Sequence, residues 1–471
     1  MTPAPEPGGF RQKVLRGGRY LVLRQAAGLA IGVGGVLLLT RLIGPANYGV
    51  YAGALAIVTF VADVARLGVE VYLVRREQEP DRFVYSQAFT LLLLGGAAVA
   101  ALSVLAQPLL RLWFEDERFI TPLQALFLAI PLVLICQPAF AALERDLDFR
   151  KVAILELVGQ LIFYTAAISL ALLTKSVWGP IVGFWLWQTW LVVGSFWAAR
   201  LRPALVWSPV LVREMLQYGL SYSGANWIWS ARLLVNPLIV GRYLGPESVA
   251  YVSLATRLVE VASFVRTATW RLSIAALAKL QGDAGRLRRA IDEGTTLQVL
   301  GVAPFLCVGA IGVTWLPDLL GQSWHPVIGI FPFISLAALT NAMFSMHSSV
   351  LYVLKRNRQV AVFHLTCVGL LAGCALILVP AFGLIGYGLA EVGAMASYAV
   401  LHRQVTRLFP LRYRTSAPWF FALAPPIFVS LVPLPYAPLL FVPVVVLLSL
   451  TRYRRILARY FRQIRPRAAE A

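Results

Sequence analysis

An all-α polytopic membrane fold with about 14 transmembrane helices is what the sequence predicts, and three observations predict it. Of 471 residues, 59% are apolar and only 14% are charged, a balance far from that of a soluble globular domain. The apolar residues fall mostly in long runs, and a helix needs roughly 20 residues, at ~1.5 Å each, to cross a ~30 Å hydrocarbon core. The basic residues stand between those runs in clusters of three or four. Short segments of alternating polarity, as a β-barrel would require, are not found in the sequence.

The first run begins at Tyr20, after Arg11, Lys13, Arg16 and Arg19, and continues past Leu39 with no A-x-A-like cleavage site, so it reads as a retained span. Helix 1 is predicted over 20–41 and helix 2 over 48–74. Helices 3 to 6, over 84–110, 121–143, 152–174 and 176–199, complete a first six-helix bundle, 20–199. A cytoplasmic linker, 200–214, follows the first bundle, and 1–19 form a basic N-terminus. The second bundle, 215–401, comprises helices 7 to 12 over 215–241, 248–274, 290–316, 327–354, 359–381 and 384–401. Helices 13 and 14, over 416–432 and 437–451, are crowded by prolines such as Pro425, Pro426, Pro433 and Pro438, which kink or end a helix unless neighbours satisfy the freed carbonyls. Residues 452–471 are a basic tail that can meet anionic lipid headgroups.

A formal charge of +20 raises the question of nucleic acid, and its placement answers it. Of the 42 Lys and Arg, 31 fall in segments on the side of the N-terminus, five on the opposite side and six within predicted helices. By the positive-inside rule both termini are cytoplasmic and the number of spans is even. The charge is a topology signal, and no nucleic-acid partner is expected. Cys136, Cys307, Cys367 and Cys374 lie inside apolar segments without C-x-x-C spacing, as ordinary buried thiols do.

An internal repeat is written into the chain. "TRLIGPAN" at 40–47 returns as "GRYLGPES" at 241–248, and Leu15, Gly18, Arg41, Gly44 and Pro45 match Leu216, Gly219, Arg242, Gly245 and Pro246 at a constant offset of 201. Each Gly-Pro closes the first helix of a six-helix block with a tight turn. Six is even, so the repeats are parallel and their pseudo-two-fold axis lies along the membrane normal, an architecture of transporters with a substrate site between the halves.

Ionisable groups inside spans cost several kcal/mol unless they face a partner or a wet cavity, so each one asks for a role. Helix 1 carries Arg24, helix 2 Asp63, Arg66 and Glu70, helix 7 Arg232, and helix 8 Arg257, Glu260, Arg266 and Arg271; Glu391 and His364 lie later. Asp63, Arg66 and Glu70 share one helical face, and Arg257, Phe264 and Arg271 recur every seven residues. Arginines on helices 1, 2, 7 and 8 would line a central cavity suited to an anion such as pyrophosphate, which guanidinium grips in bidentate fashion. Arg24, Arg66, Arg232, Arg257, Arg266 and Arg271 are therefore the substrate-binding candidates. Asp63, Glu70, Glu260 and Glu391 are the ion-coupling candidates. Snorkelling would instead account for Arg24 and Arg271, and ion pairing with Asp63, Glu70 or Glu260 for Arg66 and Arg257.

No Walker loop, metal-ligand set or catalytic spacing occurs, so neither a cofactor nor an enzyme activity is expected. The Gly28/Gly32 and Gly369/Gly373 pairs read as close helix packing. Trp178, Trp185, Trp187, Trp190 and Trp197 crowd helix 6, where anchoring and packing account for most and a sugar can stack on one or two.

"TRLIGPANYGVYAGA", "LERDLDFRKVAILE" and "LIVGRYLGPESVAYVSLATRLVE" together resemble the bacterial polysaccharide transporter (oligosaccharide flippase) family of the multidrug/oligosaccharidyl-lipid/polysaccharide exporter superfamily, over residues 10–455. The resemblance implies a V-shaped pair of six-helix bundles working by alternating access in the bacterial cytoplasmic membrane. The cargo it implies is an undecaprenyl-pyrophosphate-linked oligosaccharide destined for exopolysaccharide, capsule or O-antigen. It further implies an ion gradient as driving force, a cationic cavity to which Arg24, Arg66, Arg232 and Arg257 correspond, and a groove for the polyprenyl tail beside helices 13 and 14. A monomer in contact with membrane lipids and with other polysaccharide assembly proteins is expected. A cation-coupled multidrug or metabolite antiporter of the same superfamily is the alternative.

Overall fold

The computed structural model describes residues 7–464 apart from 115, 280–282, 409 and 412, and omits the side chains of 7–26, 222, 263–279, 284 and 459–464. Among the described residues the regular structure is entirely helical. Among the described residues eight helices are long and apolar enough to cross a membrane, or nine if one bent pair counts as a span. The chain divides into two compact units, Met1–Ala250 and Tyr251–Ala471.

Several of the predicted helices meet at non-helical glycines or carry breaks inside them. Predicted helices 1 and 2 meet within Pro7–Ala65 at Gly44, whose φ 74° and ψ 172° are non-helical and separate the two. The second copy of the motif does the same inside Gly241–Lys279, where Gly245 has φ 80° and ψ 177°. That backbone region is essentially reserved for glycine, and the following proline, lacking an N–H, tolerates the first helical turn after it. The two Gly-Pro copies thus share one backbone geometry. A third break, Gly383 at φ 61°, joins predicted helices 11 and 12 within Asn357–Ala394.

Proline divides others. Predicted helix 4 becomes Glu117–Phe127, Ile130–Ile135 and Gln137–Arg145, with Pro131 and Pro138 opening the second and third pieces. Predicted helix 7 is α-helical over Pro209–Ser230, tightens to 3₁₀ over Ala231–Leu234 and widens to π over Asn236–Val240, where Pro237 removes a ladder donor. Predicted helices 13 and 14 are each part α-helix and part 3₁₀: Ser416–Leu423 with Pro425–Leu431, then Ala437–Phe441 with Val442–Ser449. The basic tail begins as a helix, Thr451–Ile464, turned 85° from the segment before it.

In the first unit, Phe149–Thr174 packs on Trp178–Ala199 and on the first helix. Gln160 Nε2 donates to Gly28 O at 2.9 Å and Tyr164 Oη to Gly32 O at 3.0 Å, so this glycine pair does mark a close helix contact. Gly369 and Gly373 do not: no other residue comes within 4 Å of the space a Cβ would occupy at either. The linker lies along Arg82–Leu105, where Ala204 N donates to Ser86 Oγ and Val206 N to Thr90 Oγ1. Its non-helical backbone is thereby satisfied.

In the second unit, Ala284–Gly312 packs on Pro326–Val353 and on Ser416–Leu423, around Leu287, Ile291, Met346 and Val350. Tyr413 Oη lies 2.6 Å from His347 Nε2 and 2.8 Å from His402 Nδ1, tying the loop before Ser416 to two helices. Cys136, Cys307 and Cys367 are buried free thiols, and Cys374 is partly buried.

Gly44→Ala and Gly245→Ala are expected to destabilise the protein by similar amounts, about 1–3 kcal/mol each, since both force an L side chain into the same strained region. Thermal unfolding in detergent checks this; a cost at one position only would separate the two turns.

Candidate functional site

Predicted helix 2 breaks where its charges lie. The first helix ends at Ala65, and Val69–Arg75 resumes after Leu67 and Gly68, both in the left-handed region at φ 53° and 68°. Leu67 N turns back to Val64 O instead of Asp63 O, so the Asp63 carbonyl is orphaned. Trp227 Nε1, from Pro209–Ser230, fills that vacancy at 3.0 Å. Ser230 Oγ, one turn on, donates to Asp63 Oδ2 at 3.3 Å. Gly219 is the reason the two helices come so close, because a Cβ there would collide with Leu67 O.

Around this joint stand the candidate charges of the first unit. Arg66 Nη1 pairs with Asp63 Oδ1 at 3.4 Å, with both side chains partly exposed. Arg66 Nε and Glu70 Oε2 are buried and have no hydrogen-bond partner among the described residues. Buried polar atoms ordinarily find partners, so these two groups each have hydrogen-bonding capacity unspent at the break. Arg232 sits in the 3₁₀ turn, its guanidinium 5.7 Å from the Trp229 ring centre. Residues two apart on a helix do not share a face, so Trp229 stands away from the Trp227 side that meets helix 2.

Among the remaining candidates, Arg257 pairs with Glu260 at 3.1 Å, both side chains more than half exposed. Glu391 is buried at 3% exposure and accepts from Tyr387 Oη at 3.0 Å, and His364 is also buried. The side chains of Arg24, Arg266 and Arg271 lie outside the described residues. Asp63, Arg66 and Glu70 are therefore brought together at one break, Arg257 and Glu260 pair in the second unit, and Glu391 is enclosed there.

Sequence reasoning missed the carbonyl caps. Ala129 N bonds to Leu126 O and leaves Ala125 O to Trp185 Nε1 at 3.0 Å, as Leu67 leaves Asp63 O to Trp227. Trp190 Nε1 reaches Leu155 O at 3.0 Å and Trp113 Nε1 reaches Leu238 O, in the π segment, at 3.1 Å. Arg145, from the "LERDLDFRK" cluster, donates to Leu73 O and Val74 O at the end of Val69–Arg75. For Trp227 and Trp185, a helix-interior tryptophan facing a proline- or glycine-broken neighbour was the available signal.

The fold is that of a polytopic membrane protein and is shared with solved transporters. A lipid II flippase, MurJ, in an inward closed conformation superposes with TM-score 0.69 at 13% identity, covering 96% of this chain and 99% of that one. An inward-facing multidrug resistance transporter of the MATE family and MOP superfamily superposes with TM-score 0.60 at 16% identity, covering 82% and 95%. Within that class, the family described as "Polysaccharide biosynthesis protein" matches residues 38–329, more than half of the chain, and the protein belongs to it. Its relatives include the succinoglycan biosynthesis transport protein ExoT of Rhizobium meliloti, 25% identical over 69% of this chain, which spans 66% of the ExoT length. The lipopolysaccharide biosynthesis protein WzxC of Escherichia coli is 20% identical over 71% of this chain and 68% of its own.

Trp227→Phe and Trp185→Phe keep the ring and remove the donor. Each is expected to cost about 1–3 kcal/mol by leaving a buried carbonyl unpaired, and Trp197→Phe, at an exposed position, is expected to cost less than about 0.5 kcal/mol. Unfolding midpoints of the three variants check the ordering.

Proposed function

We propose that this chain is a flippase that carries undecaprenyl-pyrophosphate-linked oligosaccharide repeat units across the bacterial cytoplasmic membrane for surface polysaccharide assembly. Membership of a polysaccharide biosynthesis family, with transport and lipopolysaccharide relatives, supports the cargo class. The observation that carries the reading is the broken helix 2, where Arg66 pairs with Asp63 through Nη1 while Arg66 Nε has no hydrogen-bond partner among the described residues.

Both termini are cytoplasmic in this reading, and the two six-helix blocks, 20–199 and 215–401, move as repeats about the Gly-Pro turns. Arg24, Arg66, Arg232, Arg257, Arg266 and Arg271 receive the pyrophosphate in a wet cavity while the polyprenyl tail stays in hydrocarbon, so the polar head avoids its full dehydration cost. Release demands a fall in affinity. Ionised Asp63 competes with the phosphate for Arg66, and Glu70, Glu260 and Glu391 are the further groups whose protonation or cation binding sets how much positive charge the cargo meets.

In proteoliposomes loaded with the lipid-linked oligosaccharide, Arg66→Ala and Arg232→Ala are expected to slow translocation about tenfold or more, the loss of one charge-assisted hydrogen bond or its equivalent. Arg286→Gln, at an exposed position capped by Asp283, is expected to leave the rate unchanged. Wild-type rates in both the Arg66→Ala and Arg232→Ala variants would overturn the arginine cavity. Efflux of cationic drugs without lipid translocation would overturn the flippase reading in favour of an antiporter.

A further inference from the structure

A polar cleft lies at the Gly-Pro turns of the first unit, at the other end of predicted helix 2 from its break. It encloses about 340 Å³ and is lined by Asn47, Arg118, Thr121, Trp178 and Pro246, among others. That volume is at the lower end of the ~300–1,000 Å³ typical of small-molecule sites. Both copies of the Gly-Pro turn contribute to it, the first through Ala46 and Asn47 and the second through Pro246. Gly49 lies so close to the second turn that a Cβ would strike Pro246 O.

Its polar groups are held in place with one function each left over. The Asn47 amide donates to Ile43 O at 3.0 Å and to Lys175 O at 3.1 Å, which fixes the side chain and leaves Oδ1 as an acceptor. Arg118 spends Nε and Nη2 on Asp116, at 3.0 and 2.9 Å, and keeps Nη1. The same Arg118 hydrogen bonds hold the Asp116 carboxyl below its usual range, so the pair persists at neutral pH. Thr121 offers a hydroxyl, and the Trp178 indole is 43% exposed. With Arg118 already matched by Asp116 and near Glu247, the lining is close to neutral and is no anion trap.

An exposed indole face beside an amide acceptor, a hydroxyl and a guanidinium N–H is the chemistry that reads a pyranose. The C–H face of the ring stacks on the indole, while vicinal hydroxyls both donate and accept. We propose that this cleft is a carbohydrate subsite at the outer mouth, which takes one neutral pyranose of the cargo as the oligosaccharide leaves. Because the cleft is built on both Gly-Pro turns, any movement that parts Gly49 from Pro246 reshapes it. A sugar bound there favours one arrangement of the turns over the other by its differential affinity. The natural ligand rests on the flippase reading; the cleft's affinity for a pyranoside does not.

The test uses the full chain in nanodiscs and saturation-transfer NMR with methyl β-D-glucopyranoside and methyl β-D-galactopyranoside at millimolar concentration. At least one glycoside is expected to receive saturation from the wild type. Trp178→Ala should weaken that binding about fivefold, Thr121→Val should weaken it less, and Trp178→Phe should retain most of it. Unchanged melting temperatures establish that the variants are folded. No transfer to either glycoside, or equal transfer with Trp178→Ala, overturns the subsite. Binding at Trp178 by a protein that moves no lipid-linked saccharide sinks the flippase reading and leaves the subsite standing; translocation without glycoside binding does the reverse.

Discussion

Hydrocarbon offers a peptide carbonyl no hydrogen bond, and the whole arrangement follows from that. A span that breaks in a bilayer exposes carbonyls that cost several kcal/mol each unless another part of the protein reaches them. Here the reach comes repeatedly from indole N–H groups, Trp227 to Asp63, Trp185 to Ala125, Trp113 to Leu238. Tryptophan suits the task because it carries a single donor on a large apolar body and brings no charge with it. Each such bond is also a tether between helices. The break in helix 2 and the packing of helix 7 against it are in this sense one structure, and the carboxylate of Asp63, bound by Ser230 and Arg66, is positioned by the same joint that satisfies its carbonyl.

Breaks are where a membrane protein can do chemistry with charge. Continuous helices hide their backbone dipoles, whereas an interrupted one frees polar groups and lets charged neighbours bend toward one another. Asp63, Arg66 and Glu70 would be a costly stripe on a straight lipid-facing helix. At the Leu67–Gly68 turn they become a cluster with partial exposure and two unfilled valences. Helix 7 follows the same logic, with Arg232 in the 3₁₀ turn just before the π segment that Pro237 forces.

Membrane class, helical fold and the paired Gly-Pro turns were legible because composition, run length and glycine's dihedral freedom act locally. The breaks inside a span were not, since a long apolar run looks the same whether it holds one helical piece or three. Pro131 and Pro138 show the ambiguity: both lie inside an apolar stretch that hydropathy alone joins. Tryptophan crowding in predicted helix 6 was visible, but the role of Trp185 depends on a carbonyl 60 positions away, and no periodicity encodes that pairing. Ion pairs at three-residue spacing, Asp63 with Arg66 and Arg257 with Glu260, were readable; the burial of Glu391 needed its tertiary neighbours.

The internal repeat preserves geometry and not chemistry. At the offset of 201, Gly44 and Gly245 keep nearly the same dihedrals, yet in the sequence Asp63 corresponds to Phe264, Arg66 to Thr267, and Glu70 to Arg271 with the charge reversed. Two identical charge sets about a pseudo-two-fold axis would present a symmetric field, suited to a symmetric ligand. A lipid-linked oligosaccharide is polar at one end, anionic in the middle and apolar at the other, so a protein that carries it gains from keeping the hinge symmetric and letting the lining diverge. Symmetry in the turns preserves the backbone geometry, while asymmetry in the side chains suits the asymmetric cargo proposed above.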